Sequence, residues 1–131
     1  MSSEPKEFLV LSRGHWDPKA SPEDIQGAID RFYVWHDLLV SQGRMKTGQR
    51  LTRDGKVVAM NIVTDGPFTE AKEIVGGYWF MLAASLDEAA QWLMQNPCLE
   101  YGLRMEVRPV LTETCSAYDV TCETPPERLG R

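Results

Sequence analysis

His36 and Asp65 are the residues whose types most directly suggest chemistry. An imidazole titrates near neutrality and can give or take a proton. A carboxylate beside it orients the ring and raises its basicity. His36 follows Phe32 by four positions, Ile29 by seven and Ile25 by eleven. At ~100° per helical residue, those offsets put it near the middle of an apolar helix face. There it is either a proton-transfer group in a cleft or a buried neutral imidazole with its hydrogen bonds satisfied. Asp65 closes an apolar run ahead of Gly66-Pro67. Its carboxylate either bonds its own turn or serves the imidazole.

Other chemistry-bearing residues are sparser. Glu106 and Arg108 share one face of a strand-like run. They either pair with each other or line a cleft that receives an anionic substrate, with Arg108 as the binding group. His15, Trp16 and Asp17 fall in a loop, either a lid or plain surface. His15, Asp17 and His36 have no metal-ligand spacing, and no metal is expected. Neither a phosphate-binding glycine loop nor a nucleophile elbow is present, so no cofactor is expected. Cys98, Cys115 and Cys122 are odd in number and form no Cys-x-x-Cys pair. They read as reduced thiols, which points to the cytoplasm.

The elements that must position these groups are readable in order. Glu7–Ser12 is a short apolar run of strand length. Ser21-Pro22-Glu23-Asp24 opens a helix, with Ser21 as cap and acidic residues at its positive end. Apolar spacing then runs from Ile25 to Leu39, and Gly43 stops it. Met45–Leu51 and Val57–Thr64 read as strands joined by a turn at Asp54-Gly55. Thr69–Glu73 reads as one helical turn. Gly76-Gly77 opens the apolar run Tyr78–Ala83. Ser85 and Glu88 form a capping box for a second helix, which Asn96-Pro97 ends. Met105–Val110 is the last strand, and residues 112–131 are a polar tail.

This order predicts an α+β domain over residues 1–111. Two helices cover one face of an antiparallel sheet, in a ferredoxin-like split β-α-β arrangement with an added hairpin. Composition agrees: 43% hydrophobic and 25% charged residues in 131 suit one globular domain. No run approaches the ~20 apolar residues of a membrane helix. Met1–Lys6 lacks a basic-then-apolar pattern, so secretion is not expected. A net charge of −5 disfavours nucleic acid and anionic membranes as partners.

Tyr78, Phe80 and Leu82 point to one side of their strand; Trp79, Met81 and Ala83 point to the other. Both sides are apolar, and Val57–Thr64 behaves alike. Leaving a large side chain such as Trp79 or Met81 wet forgoes ~1.5–3 kcal/mol. Two helices cover one face, so either a second copy or the polar tail must cover the other. A homodimer through that face is the expectation.

Thr64-Asp65-Gly66-Pro67-Phe68-Thr69-Glu70-Ala71-Lys72-Glu73, then Gly76-Gly77-Tyr78, the helix 86–95 and Glu106-Val107-Arg108-Pro109-Val110 resemble the YCII-related family, in its DGPF branch. The resemblance spans about residues 6–111. It implies a ferredoxin-like fold that pairs as a dimeric α/β barrel. The broader family carries a histidine on the first helix, where His36 stands, and an aspartate just after the second. Here that position is Asn96, which can hold a tautomer or a substrate but is no base. Asp65 is then the available carboxylate.

Two functions remain open. One is a small cofactor-independent enzyme, with His36 as acid/base and Asp65 orienting it, acting on a small anionic or aromatic molecule. The alternative is a noncatalytic dimeric module that binds a small molecule or regulates. The dimer itself is checked by solution scattering at micromolar concentration. A particle of twice the chain mass is expected, and a compact single chain would refute the pairing.

Overall fold

The computed structural model describes residues 4–66 and 74–129. Its elements are β1 (Lys6–Arg13), α1 (Pro22–Ser41), β2 (Met45–Arg50), β3 (Gly55–Ala59), β4 (Ile62–Gly66), β5 (Val75–Ala83), α2 (Leu86–Leu93) and β6 (Arg104–Pro109). A 3-10 turn at Pro97–Tyr101 follows α2.

Both helices begin where local chemistry dictates. The Asp24 backbone N–H donates to Ser21 Oγ at 3.0 Å. The Glu88 N–H donates to Ser85 Oγ at 3.1 Å, and Glu88 Oε1 accepts from the Ala84 N–H at 2.7 Å. Each bond satisfies a donor that the first turn leaves without a helical partner. After Ser41 the chain turns out of α1 at Gly43, where φ is +74°, a conformation that costs glycine little.

Four strands form the main sheet in the order β2-β5-β1-β6. β5 pairs antiparallel with both β1 and β2, which makes β1 and β2 parallel to each other on either side of it. That is the split β-α-β unit, with α1 as the crossover, and the architecture is α+β and ferredoxin-like as expected. Phe8, Val10, Met45, Trp79, Met81 and Ala83 are buried beneath the helices, packed with Leu39 of α1 and Ala89 and Leu93 of α2.

The other face holds Leu9 and Leu11 of β1 and Tyr78, Phe80 and Leu82 of β5, all half-buried. Charged groups rim this apolar stripe. Lys46 reaches across Phe80 to Glu7, and Glu106 pairs with Arg13 at 3.0 Å.

The expected hairpin exists but lies elsewhere. Residues 57–64 are not one strand: Ala59 pairs with Ile62, and the chain reverses at Met60-Asn61. Asn61, the second residue of the loop, has φ of +64°, a left-handed conformation that asparagine tolerates. β3 and β4 make a separate two-stranded sheet. Asp54-Gly55 leads into β3, and β2 pairs with β5 instead. The apolar side chains of this hairpin are exposed, Val58 at 73% and Met60 at 89%. The expected helical turn at Thr69–Glu73 lies outside the described residues.

Register along β2 shifts between Lys46 and Gln49. Gly48 sits in the shift, where an added β-carbon would stand 1.9 Å from the Tyr78 carbonyl oxygen. Gly48→Ala is therefore expected to cost more than ~2 kcal/mol in urea denaturation. Gly27→Ala, on α1 with only the Arg31 side chain near, is the control and is expected to stabilise by up to ~1 kcal/mol.

Candidate functional site

A cavity of about 260 Å³ opens between α1, the bulged end of β2, the start of β5 and the 3-10 turn. α1 contributes Phe32, Tyr33 and His36. β2 contributes Thr47, Gln49 and Arg50. Gly77 presents bare backbone, and the walls are completed by Trp16, Tyr78, Trp79 and the 3-10 turn. Among the described residues no Asp or Glu lines it.

His36 is 8% exposed and packs among aromatic rings, 5.6 Å from Phe32 and 6.1 Å from Tyr33 between centroids. Its two nitrogens are differently held. Nδ1 lies 3.0 Å from Asp37 Oδ1, and Nε2 lies 3.4 Å from Thr47 Oγ1. A carboxylate only accepts, so the neutral tautomer that satisfies this contact carries its proton on Nδ1. Nε2 is then the basic nitrogen, with the Thr47 hydroxyl able to donate to it. Thr47 also lines the cavity. The helix face predicted for His36 is the face it occupies.

The structure does not bring Asp65 to His36. Asp65 stands on the hairpin opposite Lys56, with which it forms an ion pair, and its side chain is 88% exposed. The pairing of β3 with β4 fixes it there, apart from the main sheet. Arg108 pairs in register with Leu9, on the sheet face opposite the helices. There it lies 3.8 Å from Glu106, outside the cavity. Asn96 does line the cavity, but its Oδ1 accepts from the Cys98 N–H at 2.9 Å and so caps the 3-10 turn. It does not hold the histidine. Its Nδ2 is buried without a protein partner.

Sequence reasoning missed Asp37, Thr47 and Arg50. Asp37 is adjacent to His36, and consecutive helical side chains diverge, so spacing gave it to solvent. It is indeed 76% exposed, yet its carboxylate turns back to the ring. Thr47 and Arg50 lie in a polar stretch with no motif. Among the described residues no group of three His, Cys, Asp or Glu side chains could hold a metal ion. No helix among them is long and apolar enough to cross a membrane.

Cys98 sits on the cavity wall, buried. Burial raises its thiol pKa, and the charges of Arg50 and Arg31 only partly oppose this. The thiol thus stays protonated and unreactive at neutral pH. Iodoacetamide is expected to label exposed Cys115 and Cys122 in the folded chain and to spare Cys98 until denaturant is added. Peptide mass mapping reads the result, and equal labelling of Cys98 would show that the wall is open.

No curated protein matches the chain. The model of the YCII-related domain family matches residues 15–113, well over half of the sequence. That span takes in the His36 helix, the cavity strands and the closing strand β6, and the chain belongs to the YCII-related domain family.

Proposed function

We propose that this chain is a small cofactor-independent enzyme in which His36 transfers protons to or from a small molecule held in the cavity. The observation that carries the reading is the division of labour on the imidazole. Asp37 engages Nδ1 and fixes the tautomer, while Nε2 is the nitrogen on the Thr47 side, toward residues that line an apolar cavity. An oriented ring beside a mostly apolar cavity is an arrangement that suits acid/base chemistry. Asp37 replaces Asp65 as the positioning carboxylate in this reading. Asn96 Nδ2, buried and unpartnered, is the donor we assign to the ligand. Cavity size suits a single substituted ring, since a void of ~150 Å³ already holds benzene. Proton transfer, isomerisation or elimination is the reaction class.

The same reading places the chain in the DGPF branch, on Asp65-Gly66 at the end of β4 and Pro67-Phe68 after it. It also pairs two copies through the stripe Leu9, Leu11, Tyr78, Phe80 and Leu82. An apolar centre with a mixed-charge rim of Lys46, Glu106 and Arg108 suits a surface that meets its own copy about a two-fold axis. Three unpaired cysteines favour a reducing compartment, the cytoplasm.

A noncatalytic binding module is the competing reading. It is favoured by one observation, that among the described residues no carboxylate lines the cavity to act as a second acid or base. The deciding experiment incubates the full chain with small carbonyl compounds in deuterated water and follows exchange at carbon by NMR. His36→Gln is expected to lower the rate ~10²-fold or more. Asp37→Asn should lower it less. An unchanged rate in a folded His36→Gln variant refutes the enzyme, and binding without exchange in the native chain supports the module.

A further inference from the structure

We infer that Arg50 is the anion-binding residue of the His36 cavity, and that the ligand is a small monoanion, a carboxylate on a flat apolar body. This rests on the reading of the cavity as a ligand site and names what that site recognises.

Arg50 ends β2 and pairs with Gly77 of β5. Its guanidinium lies over the bare backbone of the glycine pair. A β-carbon at Gly76 or at Gly77 would stand 3.4 Å from a guanidinium nitrogen. The same β-carbon at Gly77 would stand 3.0 Å from the Gln49 carbonyl oxygen, tighter than side chains normally tolerate. The glycines thus leave Arg50 room at the cavity mouth.

Lys46, Lys56, Arg13, Arg31 and Arg108 each have a carboxylate partner. Among the described residues none pairs with Arg50. Among the described residues Arg50 is the one permanently charged side chain lining the cavity, and no acidic side chain among them lines it to oppose that charge. Burial raises the pKa of the Cys98 thiol, which also lines the cavity, and the Arg50 charge acts to lower it.

A guanidinium binds a carboxylate through two parallel hydrogen bonds. A single cation matches a single negative charge, whereas a phosphate dianion calls for further donors and charge. Trp16, Phe32, Tyr33 and Trp79 offer faces and edges to an apolar ring. The ligand would then lie with its carboxylate at the mouth on Arg50 and its ring between the aromatic walls, toward His36.

Benzoate and its neutral counterpart benzamide are the probes, titrated into the isotope-labelled full chain by NMR. Benzoate is expected to shift the amides of Gly77 and Tyr78 and the Trp79 indole. Arg50→Gln should weaken benzoate about tenfold or more and leave benzamide within about twofold. Arg50→Lys should recover part of the loss, because an ammonium keeps the charge without the fork. Arg53→Gln, which alters a cation outside the cavity, should change neither. Equal weakening of both probes in Arg50→Gln, or no weakening of benzoate, overturns the assignment while leaving the cavity a ligand site. If neither probe moves the cavity resonances of the native chain at millimolar concentration, both the assignment and the ligand site fall.

Discussion

Side chains along β5 alternate between two environments, and the placement of both helices and of the strands of the main sheet answers to that alternation. Trp79, Met81 and Ala83 must be dry, and only two amphipathic helices are available to dry them. With α1 and α2 committed to that side, the crossover from β1 to β2 has to pass over it. β2 is thereby carried to the far side of β5 instead of next to β1. The cavity is a by-product of this solution. Gly77 follows the same alternation as Trp79 but supplies no side chain, and the register shift at Gly48 pulls β2 off line beside it. Packing therefore ends early at this corner of the sheet, and the void forms beneath the second half of α1.

A histidine over such a void must satisfy two polar nitrogens in a place otherwise lined by rings. The structure does so economically, with one carboxylate from the next residue and one hydroxyl from the facing strand. The hydrogen bonds that make burial tolerable are the same ones that fix a tautomer. Structural and chemical accounts of His36 thus require identical geometry, and only the behaviour of Nε2 toward a bound molecule separates them.

Much of this was legible in the amino acids. Ser21 and Ser85 announced both helix starts, because caps are decided by the nearest three residues. The apolar spacing through Ile25, Ile29 and Phe32 located His36 for the same local reason. The hairpin was harder. Asp54-Gly55 is the stronger turn dipeptide in isolation, and Met60-Asn61 lay hidden in an apolar run. The turn formed at Asn61 because β2 was claimed by β5, a long-range pairing that no short window contains. Asp65 was paired with His36 on chemical type alone, and the strand that carries it belongs to another sheet. Arg50 was invisible since its meaning depends on Gly77, a neighbour by pairing and not by sequence.

The two-stranded ribbon of β3 and β4 has a consequence of its own. Its tip at Met60-Asn61 contributes nothing to the four-stranded sheet, and its two ends lie side by side as cross-strand neighbours, Gly55 opposite Gly66. The segment is thus a bracket closed at its base. Foreign peptide spliced into the tip, an epitope or a fluorophore tag, would extend the bracket without moving the walls of the domain. Natural variation in ribbon length should be absorbed at this spot for the same mechanical reason.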